Sequence, residues 1–209
     1  IRGAVSDGHR FVPDVVERGA SVLIVEEEVS VPDHVTVIRV EDTRYALACI
    51  SAAYFDHPAQ KLKTIGITGT KGKTTTTYMV KSILENAGYK VGLIGTIEAI
   101  IGDRVIPAAN TTPESYVIQK YFSMMVEAGC DCVVMEVSSQ GLMLHRTAGF
   151  TFDYGIFTNI EPDHIGPNEH TSFEHYLQCK AMLLRQCRVG IVNADDEHLE
   201  QIIKDATCR

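Results

Sequence analysis

The sequence predicts an α/β fold in which a mostly parallel sheet carries helices on both faces, preceded by a partial, smaller α/β domain. From residue 62 onward, short apolar segments that suit buried strands alternate with longer helical patterns, and this alternation is typical of parallel sheets. The preceding residues repeat the alternation on a smaller scale. Because Pro58-Ala-Gln-Lys separates the two parts, we expect one domain over residues 1–60 and a second over residues 61–209.

The smaller domain shows the residue patterns of helices that flank strands. We predict its helices over residues 12–18 and from Asp42 or Thr43 to about Phe55, and its strands over residues 21–25 and 35–40. The first helix should end at Gly19. The second should stop before Pro58, because the residue that precedes a proline leaves the helical region.

The larger domain contains the longer run of alternating elements. Its predicted strands cover residues 62–67, 91–95, 132–137, 154–159 and 189–193. Its predicted helices cover residues 74–87, the stretch from Pro113 to Gly129, the stretch from Ser172 to about Cys187, and a final stretch that begins at Asp195. Residues 97–106 form strand patterns around Gly102-Asp103, which predicts a β-hairpin.

A glycine-rich segment, Gly69-Thr-Lys-Gly-Lys-Thr, joins the first strand of this domain to its first helix. Strand, glycine-rich loop and helix are the context of a P-loop, where backbone N–H groups and the positive helix end bind phosphate. In that interpretation Lys73 reaches the β- and γ-phosphates, and the Thr74 hydroxyl binds Mg²⁺. Ile67 stands where the strict motif has glycine. The alternative is a glycine-rich turn without a ligand.

The composition argues against several functional classes. A net charge of −8 over 209 residues disfavours a general nucleic-acid or membrane-surface role. No apolar run approaches the roughly 20 residues of a transmembrane helix. The six cysteines form no Cys-x-x-Cys pair, so we expect free thiols and a cytoplasmic location. The chain starts without Met or a signal-peptide core, so we expect it to begin inside a longer protein.

Three polar segments follow predicted strands, and ligands of open α/β sheets collect at the carboxyl ends of strands. The segments begin at Asn110, Glu136 and Thr158. A P-loop needs a carboxylate opposite it to hold Mg²⁺, and Glu136 ends an apolar strand. We expect Glu136 and His164 at the ends of adjacent strands, facing the loop. The alternative for Glu136 is a helix N-cap or an exposed strand end.

A group of histidines and glutamates follows the third of these segments. The group contains His164, Glu169, His170, Glu174 and His175, which are residue types that can bind zinc. Their spacings match no usual zinc pattern, however. We therefore favour a polar loop over a zinc site.

Lys180 lies in a helical pattern that is rich in Leu, Met and Cys. A lysine on the core side of such a helix has a lowered pKa, because burial disfavours its charge. The alternative is a lysine whose stem covers apolar surface while its ammonium group reaches water. Helical spacing alone does not choose between the two.

The ordered motifs resemble the Mur ligases of peptidoglycan synthesis over essentially the whole chain, and most closely the MurE branch. The motifs are Gly69-Thr-Lys-Gly-Lys-Thr-Thr-Thr, Asn110-Thr-Thr-Pro, Glu136-Val-Ser-Ser-Gln-Gly-Leu, His145-Arg146, Phe157-Thr-Asn, Asp163-His164, Tyr176-x-x-x-Lys180 and Asn193-Ala-Asp-Asp. Residues 1–60 resemble the end of the family's N-terminal UDP-binding domain, with Asp7-Gly-His-Arg-Phe as the signature.

The resemblance implies a ligase that adds the third stem-peptide residue to UDP-N-acetylmuramoyl-L-alanyl-D-glutamate through an acyl phosphate. ATP and Mg²⁺ would be its cofactors, and the UDP-muramoyl dipeptide and an amino acid its partners. Neither nucleic acid nor a membrane is expected as a partner. Because the family's C-terminal domain binds the incoming amino acid and the sequence stops near the end of the central domain, we expect an inactive fragment.

The resemblance also implies roles for individual residues. The nucleotide would be bound by Gly69, Thr70, Lys71, Gly72, Lys73, Thr74, Thr75 and Asn159. The UDP-muramoyl substrate would be bound by Asn110, Thr111, Thr112, Ser138 and Arg146. The metal ligands would be Thr74, Glu136, His164 and Lys180, the last matching a lysine that is carbamylated in the family. The catalytic residues would be Lys73, Glu136, His164 and Lys180. This chain departs from many relatives in having Gln140 where they have histidine.

Three alternative functions remain open at this stage. The first is a ligase like folylpolyglutamate synthetase, which Asn110-Thr-Thr-Pro and the N-terminal domain disfavour. The second is a nucleotide-binding module without ligase activity. The third is a P-loop GTPase, although the sequence lacks the guanine-binding motif Asn-Lys-x-Asp.

Overall fold

The computed structural model of the chain describes residues 1, 3, 6–163, 165–166 and 170–209. The chain forms two compact units, Ile1–Leu47 and Ala48–Arg209. The division falls inside a helix rather than at Pro58, so the domain boundary near residue 60 stays a prediction. Within the described residues, no helix has the length and apolar character needed to cross a membrane.

The first unit contains a small parallel sheet. Its elements are a 3-10 helix Gly8–Phe11, α1 Val12–Glu17, β1 Val22–Val25, β2 Thr36–Arg39 and the start of α2 Thr43–Tyr54. Strands β1 and β2 pair in parallel with Val22 opposite Thr36. The Glu26 carboxylate, just after β1, accepts hydrogen bonds from the Thr43 backbone N–H and hydroxyl, at 2.9 and 2.6 Å. The glutamate thereby satisfies an N–H group at the start of α2.

The second unit is built on a seven-stranded sheet with the order β6-β5-β4-β7-β3-β8-β9. The strands are β3 Lys63–Thr68, β4 Val91–Ile94, β5 Glu98–Ile101, β6 Arg104–Pro107, β7 Cys132–Glu136, β8 Phe152–Phe157 and β9 Cys187–Val192. The helices are a 3-10 helix Pro58–Lys61, α3 Lys73–Asn86, α4 Ser115–Glu127, α5 Ser139–Met143, α6 Phe173–Arg185 and α7 Leu199–Ile203. Strands β4, β7, β3, β8 and β9 pair in parallel, and the β5–β6 hairpin is antiparallel.

Helices cover both faces of this sheet, which confirms the predicted fold class. On one face Ile65 and Ile67 of β3 pack with Val134 and with Val80 and Leu84, the last two from α3. On the other face, a Cβ added to Gly66 would lie 3.1 Å from Leu183 of α6 and from Phe152. Successive residues of a strand point to opposite faces, so the apolar run of β3 is buried on both sides.

Several element boundaries differ from those predicted. Helix α4 begins at Ser115 with Glu114 as its N-cap, so Pro113 precedes the helix instead of starting it. The last helix begins at Leu199 rather than Asp195. Cys187 opens β9 instead of ending α6. The five-residue helix α5 was not predicted, because one turn and a half is too short to show an amphipathic period.

The sheet order also corrects one prediction about the site. Strand β7, which ends at Glu136, and strand β8, after which His164 follows in the chain, do not pair. Both flank β3 instead, so their carboxyl ends lie on either side of the loop that leaves β3. Residue order along the chain does not specify which strand is inserted between two others.

Candidate active site

The loop between β3 and α3 needs glycine at two positions. Gly69 has φ +150° and Gly72 has φ +78°, in the region that side chains disfavour. A Cβ on Gly69 would also collide with the Thr158 hydroxyl. Gly72 is the N-cap of α3, a helix of 14 residues, so the loop delivers free backbone N–H groups to the helix end. This is the anion-binding arrangement that the sequence predicts.

The segment after β8 fixes the shape of this loop. Asn159 Oδ1 accepts a hydrogen bond of 3.0 Å from the Lys71 backbone N–H, and its Nδ2 donates to the Lys71 carbonyl at 3.1 Å. The Asn159 carbonyl accepts from the Thr70 N–H at 3.0 Å. The Thr158 hydroxyl lies 3.2 Å from the carbonyl oxygens of Thr68 and Lys71. These contacts are all to the backbone of the loop, so Asn159 helps to fix the conformation of the loop.

The Lys73 side chain folds back over the loop. Its Nζ donates hydrogen bonds to the carbonyls of Gly69 and Thr70, at 2.9 and 3.1 Å. Burial lowers the pKa of Lys73, while the charges of Glu136 and Asp163 raise it. The ammonium group is therefore held by the loop's own carbonyl oxygens.

Glu136 is fully buried at the end of β7, with an exposed fraction of 1%. The Thr74 hydroxyl donates to Glu136 Oε2 at 2.9 Å. Just after the neighbouring strand β4, Thr96 donates its backbone N–H to Oε1 and its hydroxyl to Oε2, both at 2.9 Å. A Cβ on Gly95 would collide with Oε1, so glycine there leaves room for the carboxylate. The side chain is therefore neither an N-cap nor an exposed strand end.

These oxygen donors fit a magnesium ion. Mg²⁺ prefers carboxylate, hydroxyl and water oxygens, and it is usually held by one or two carboxylates near substrate phosphates. The Glu136 carboxylate and the hydroxyls of Thr74 and Thr96 form such a donor set beside the glycine-rich loop. Thr96 was not predicted as a site residue. The signal for it is weak: Gly95-Thr96 directly follows an apolar strand.

Lys180 is buried and points at the same loop from the other side. It is 2% exposed, and its Nζ donates a hydrogen bond of 2.7 Å to the Gly69 carbonyl. The ammonium group lies 4.7 Å from the ring centre of Tyr176, one helical turn away, and the Tyr176 hydroxyl donates to Thr70 Oγ1 at 3.2 Å. Burial, followed by the charge of Lys73, lowers the pKa of Lys180 to about 7. The interpretation of Lys180 as a surface lysine is wrong.

A second cluster extends from the far side of Glu136. The Thr112 hydroxyl donates to the Glu136 carbonyl at 3.1 Å and accepts from the Ser138 N–H at 2.9 Å. Ser138 caps α5 by accepting from Gly141 N. Arg146 donates to the Thr112 carbonyl at 3.0 Å and pairs with Glu114 at 2.7 Å. Buried hydrogen bonds therefore tie this cluster to the strand that carries the carboxylate.

A cavity of about 220 Å³ joins the two clusters. It is lined by Lys73, Asn110, Thr111, Thr112, Ser138, Ser139, Gln140 and Arg146. All five residues that the resemblance gives to the UDP-muramoyl substrate thus face one cavity with the lysine of the loop. Thr75 is exposed on the first turn of α3, and His164 lies outside the described residues.

Comparison with known proteins agrees with the resemblance found in the sequence. The family described as the Mur ligase middle domain matches residues 67–209. The chain belongs to the Mur ligase family. Among curated Mur ligases, UDP-N-acetylmuramoyl-L-alanyl-D-glutamate--2,6-diaminopimelate ligase of Clostridium perfringens is 48% identical over 98% of this chain and 42% of its own length. The Clostridium acetobutylicum ligase 1 of that name is 49% identical over 99% of this chain and 42% of its own length.

Solved Mur ligase structures share the fold. A structure of UDP-N-acetylmuramoyl-L-alanyl-D-glutamate--2,6-diaminopimelate ligase matches with a TM-score of 0.82 and 25% identity, over 94% of this chain and 39% of that one. The MurF ligase of Thermotoga maritima in complex with ADP matches with a TM-score of 0.56 and 19% identity, over 99% and 44%. This chain spans about 42% of the length of the curated Mur ligases that it matches.

Proposed function

We propose that this chain is the nucleotide- and substrate-binding part of a MurE-type ligase of peptidoglycan synthesis. The whole protein would use ATP to join an amino acid to the D-glutamate carboxylate of UDP-N-acetylmuramoyl-L-alanyl-D-glutamate. Its curated relatives carry the name of the diaminopimelate ligase, which makes 2,6-diaminopimelate the first amino acid to test. The free cysteines agree with a cytoplasmic step.

We assign the two predicted domains accordingly. Residues 61–209 would form the central ATP-binding domain, and residues 1–60 would be part of an N-terminal domain that binds the UDP group. The family match over residues 67–209 supports the first assignment. The second rests on the signature Asp7-Gly-His-Arg-Phe and on the small parallel sheet of β1 and β2.

The cavity beside Lys73 is the observation that carries this proposal. A ligase of this type must bring a substrate carboxylate next to the γ-phosphate of ATP. The glycine-rich loop would supply N–H groups for phosphate, and Arg146, Thr112 and Ser138 line the same cavity as Lys73. A carboxylate held by these donors would lie close to the phosphate that Lys73 contacts. The arrangement would convert a bimolecular encounter into a positioned reaction.

In this reaction the residues of the chain would mainly position the substrates and offset their charge. In phosphoryl transfer most of the rate enhancement comes from groups that offset charge on the transferring phosphate. Lys73 would leave the carbonyls of Gly69 and Thr70 and turn to the phosphates. Glu136, Thr74 and Thr96 would hold Mg²⁺, which supplies positive charge to the phosphate oxygens when bound. The D-glutamate carboxylate would attack the γ-phosphorus, forming an acyl phosphate and releasing ADP. The amine of the incoming amino acid would then attack the acyl carbon, forming the amide bond and releasing phosphate and a proton.

Lys180 would serve this site as a carbamate. A neutral lysine amine reacts with CO₂ to form an N–C bond and releases a proton, leaving an anionic oxygen ligand. Burial favours the neutral amine, since the pKa of Lys180 falls to about 7. Its position against the Gly69 carbonyl would put the carbamate beside the metal and the phosphates. Rescue of an inactive Lys180→Ala protein by short-chain carboxylates would support this role, and full activity of that variant would exclude it.

The test is an amide-forming assay on the whole protein. With ATP, Mg²⁺, UDP-muramoyl dipeptide and 2,6-diaminopimelate, we expect ADP, phosphate and a product that contains both substrates. Omitting the dipeptide should stop the release of phosphate. Nucleotide binding without product would instead favour a non-catalytic module. Product from a folate and glutamate would favour a ligase of the folylpolyglutamate type, whose fold is also similar.

A further inference from the structure

Three side chains that can bind soft or borderline metal ions come together at helix α6 and the segment before it. His170, His175 and Cys179 each offer one ligand atom, and these atoms lie within 4.8 Å of one another. His175 and Cys179 are four residues apart in α6, so both point to one side of the helix. His170 reaches them from the segment that precedes the helix, with its ring centre 5.1 Å from that of His175.

We propose that His170, His175 and Cys179 form a binding site for Zn²⁺ or a similar borderline-soft divalent cation, distinct from the magnesium site at Glu136. Two imidazoles and a thiolate suit zinc, whereas Mg²⁺ and Ca²⁺ prefer oxygen ligands. Tetrahedral zinc holds its ligand atoms roughly 3.3 to 3.8 Å apart, so a modest closure of the three side chains suffices. The fourth position is left for water.

The surroundings already orient two of the ligands. His170 Nε2 lies 2.8 Å from the Ser139 hydroxyl, so a metal ion would bind through Nδ1. His175 Nδ1 accepts a hydrogen bond of 3.3 Å from the Thr171 backbone N–H and lies 3.2 Å from the Thr171 hydroxyl, so Thr171 fixes the orientation of the ring. The contact of His170 with Ser139 is of the kind that metal-binding histidines usually make through their second nitrogen.

Two of the three ligands are buried, so a cation would enter past the third. His170 is fully buried and Cys179 is 5% exposed, whereas His175 is partly exposed and would admit the ion. Because zinc binds cysteine as the thiolate, the cation would displace the thiol proton of Cys179 on binding. Occupation of the site would fasten the residues before α6 to the helix that carries Lys180.

By spacing, the histidines and glutamates between His164 and His175 match no usual zinc pattern, so the sequence alone favours a polar loop. Folding brings a helix position four residues after His175 opposite a loop histidine. Such a set of ligands can be recognised only from the folded structure, in which His170 packs against α6.

Cobalt spectroscopy on the chain tests the proposal without any assay of ligase activity. With millimolar Mg²⁺ present and no nucleotide, Co²⁺ should give a sulfur-to-cobalt charge-transfer band and the strong visible absorption of a tetrahedral site. Stoichiometric Zn²⁺ should abolish both. Zn²⁺ should also raise the melting temperature, because it binds the folded state.

Variants identify the ligands. Cys179→Ser should remove the charge-transfer band and weaken Zn²⁺ binding by more than the roughly 10–100-fold typical of an outer contact. His175→Gln, at a partly exposed position, should weaken binding similarly while the chain stays folded. Cys49→Ser and His34→Gln are the matched controls and should bind like the parent. A parent chain without the band, or a folded His175→Gln or Cys179→Ser chain that binds like the controls, would overturn the proposal.

Discussion

Lys180 donates a hydrogen bond of 2.7 Å to the carbonyl oxygen of Gly69, joining helix α6 to the glycine-rich loop across 111 positions of the sequence. The loop is thus held from two sides, since Asn159 binds its Lys71 backbone. A buried amine in this position is costly unless it is neutral or paired. The contact therefore makes the loop and the protonation of Lys180 depend on each other.

The first prediction is a dependence of folding stability on pH that Lys180 causes. Its pKa is lowered from 10.5 to about 7 in the folded chain, so between these values the unfolded state binds more protons. Stability should therefore rise with pH across this window, by at most about 1.4 kcal/mol per pH unit. Urea unfolding of the parent and of Lys180→Met, in buffer free of CO₂ and metal, measures the difference.

In Lys180→Met, the contribution of this lysine to the slope of unfolding free energy against pH should disappear. Lys120→Met, on the exposed side of α4, is the matched control and should keep it. Equal slopes for the parent and Lys180→Met would show that Lys180 is charged in the folded chain.

The second prediction concerns the support of the loop by Asn159. Asn159→Asp keeps the size of the side chain but sets an oxygen against the Lys71 carbonyl in place of the Nδ2 donor. The loop should lose its shape, lowering nucleotide affinity about tenfold and stability by about 1–3 kcal/mol. Calorimetry and urea unfolding measure the two effects.

Asn86→Asp makes the same change at the end of α3, where Nδ2 donates to the Ser82 carbonyl. Its nucleotide affinity should match that of the parent. Asn159→Asp with parental affinity would show that the loop holds its shape without this side chain.

The third prediction concerns the space that Gly95 leaves for Glu136. An alanine there would push the carboxylate away from the Thr96 N–H, because its Cβ would collide with Oε1. We expect a stability loss of about 1–3 kcal/mol and a nucleotide affinity that depends less on Mg²⁺. Gly92→Ala, within β4 and three residues earlier, is the control, since its Cβ would meet Met125 instead. An unchanged Mg²⁺ dependence in Gly95→Ala would separate Glu136 from the metal.

The fourth prediction tests Glu136 in the whole protein. Glu136→Gln preserves the shape of the side chain and the acceptor for the Thr96 N–H, but removes the negative charge. Turnover should fall at least about tenfold, equivalent to 1.4 kcal/mol, with little change in stability. Steady-state kinetics and thermal unfolding should be run together. Parental turnover, or a loss of activity that merely follows unfolding, would make the residue structural.

The glycine-rich loop, the apolar strand before Glu136 and the core side of α6 could be predicted because each is a local pattern. Thr96 could not, because its contact with Glu136 depends on β4 lying beside β7. The insertion of β3 between β7 and β8 was missed for the same reason. Local sequence fixes where a strand ends, whereas the packing of the whole sheet decides which strand ends meet.

Mg·ATP binding by this chain tests the central claim most directly, and isothermal titration calorimetry with the parent and Lys73→Ala is the measurement. Lys73 lies over the loop, and its ammonium group can turn from the Gly69 and Thr70 carbonyls to the phosphates. We expect one site in the parent and an affinity at least about tenfold lower in Lys73→Ala. Lys81→Ala, which changes a lysine paired with Glu85 on the same helix, should bind like the parent. Equal affinities for Lys73→Ala and the parent would contradict the assignment of this loop as the nucleotide site.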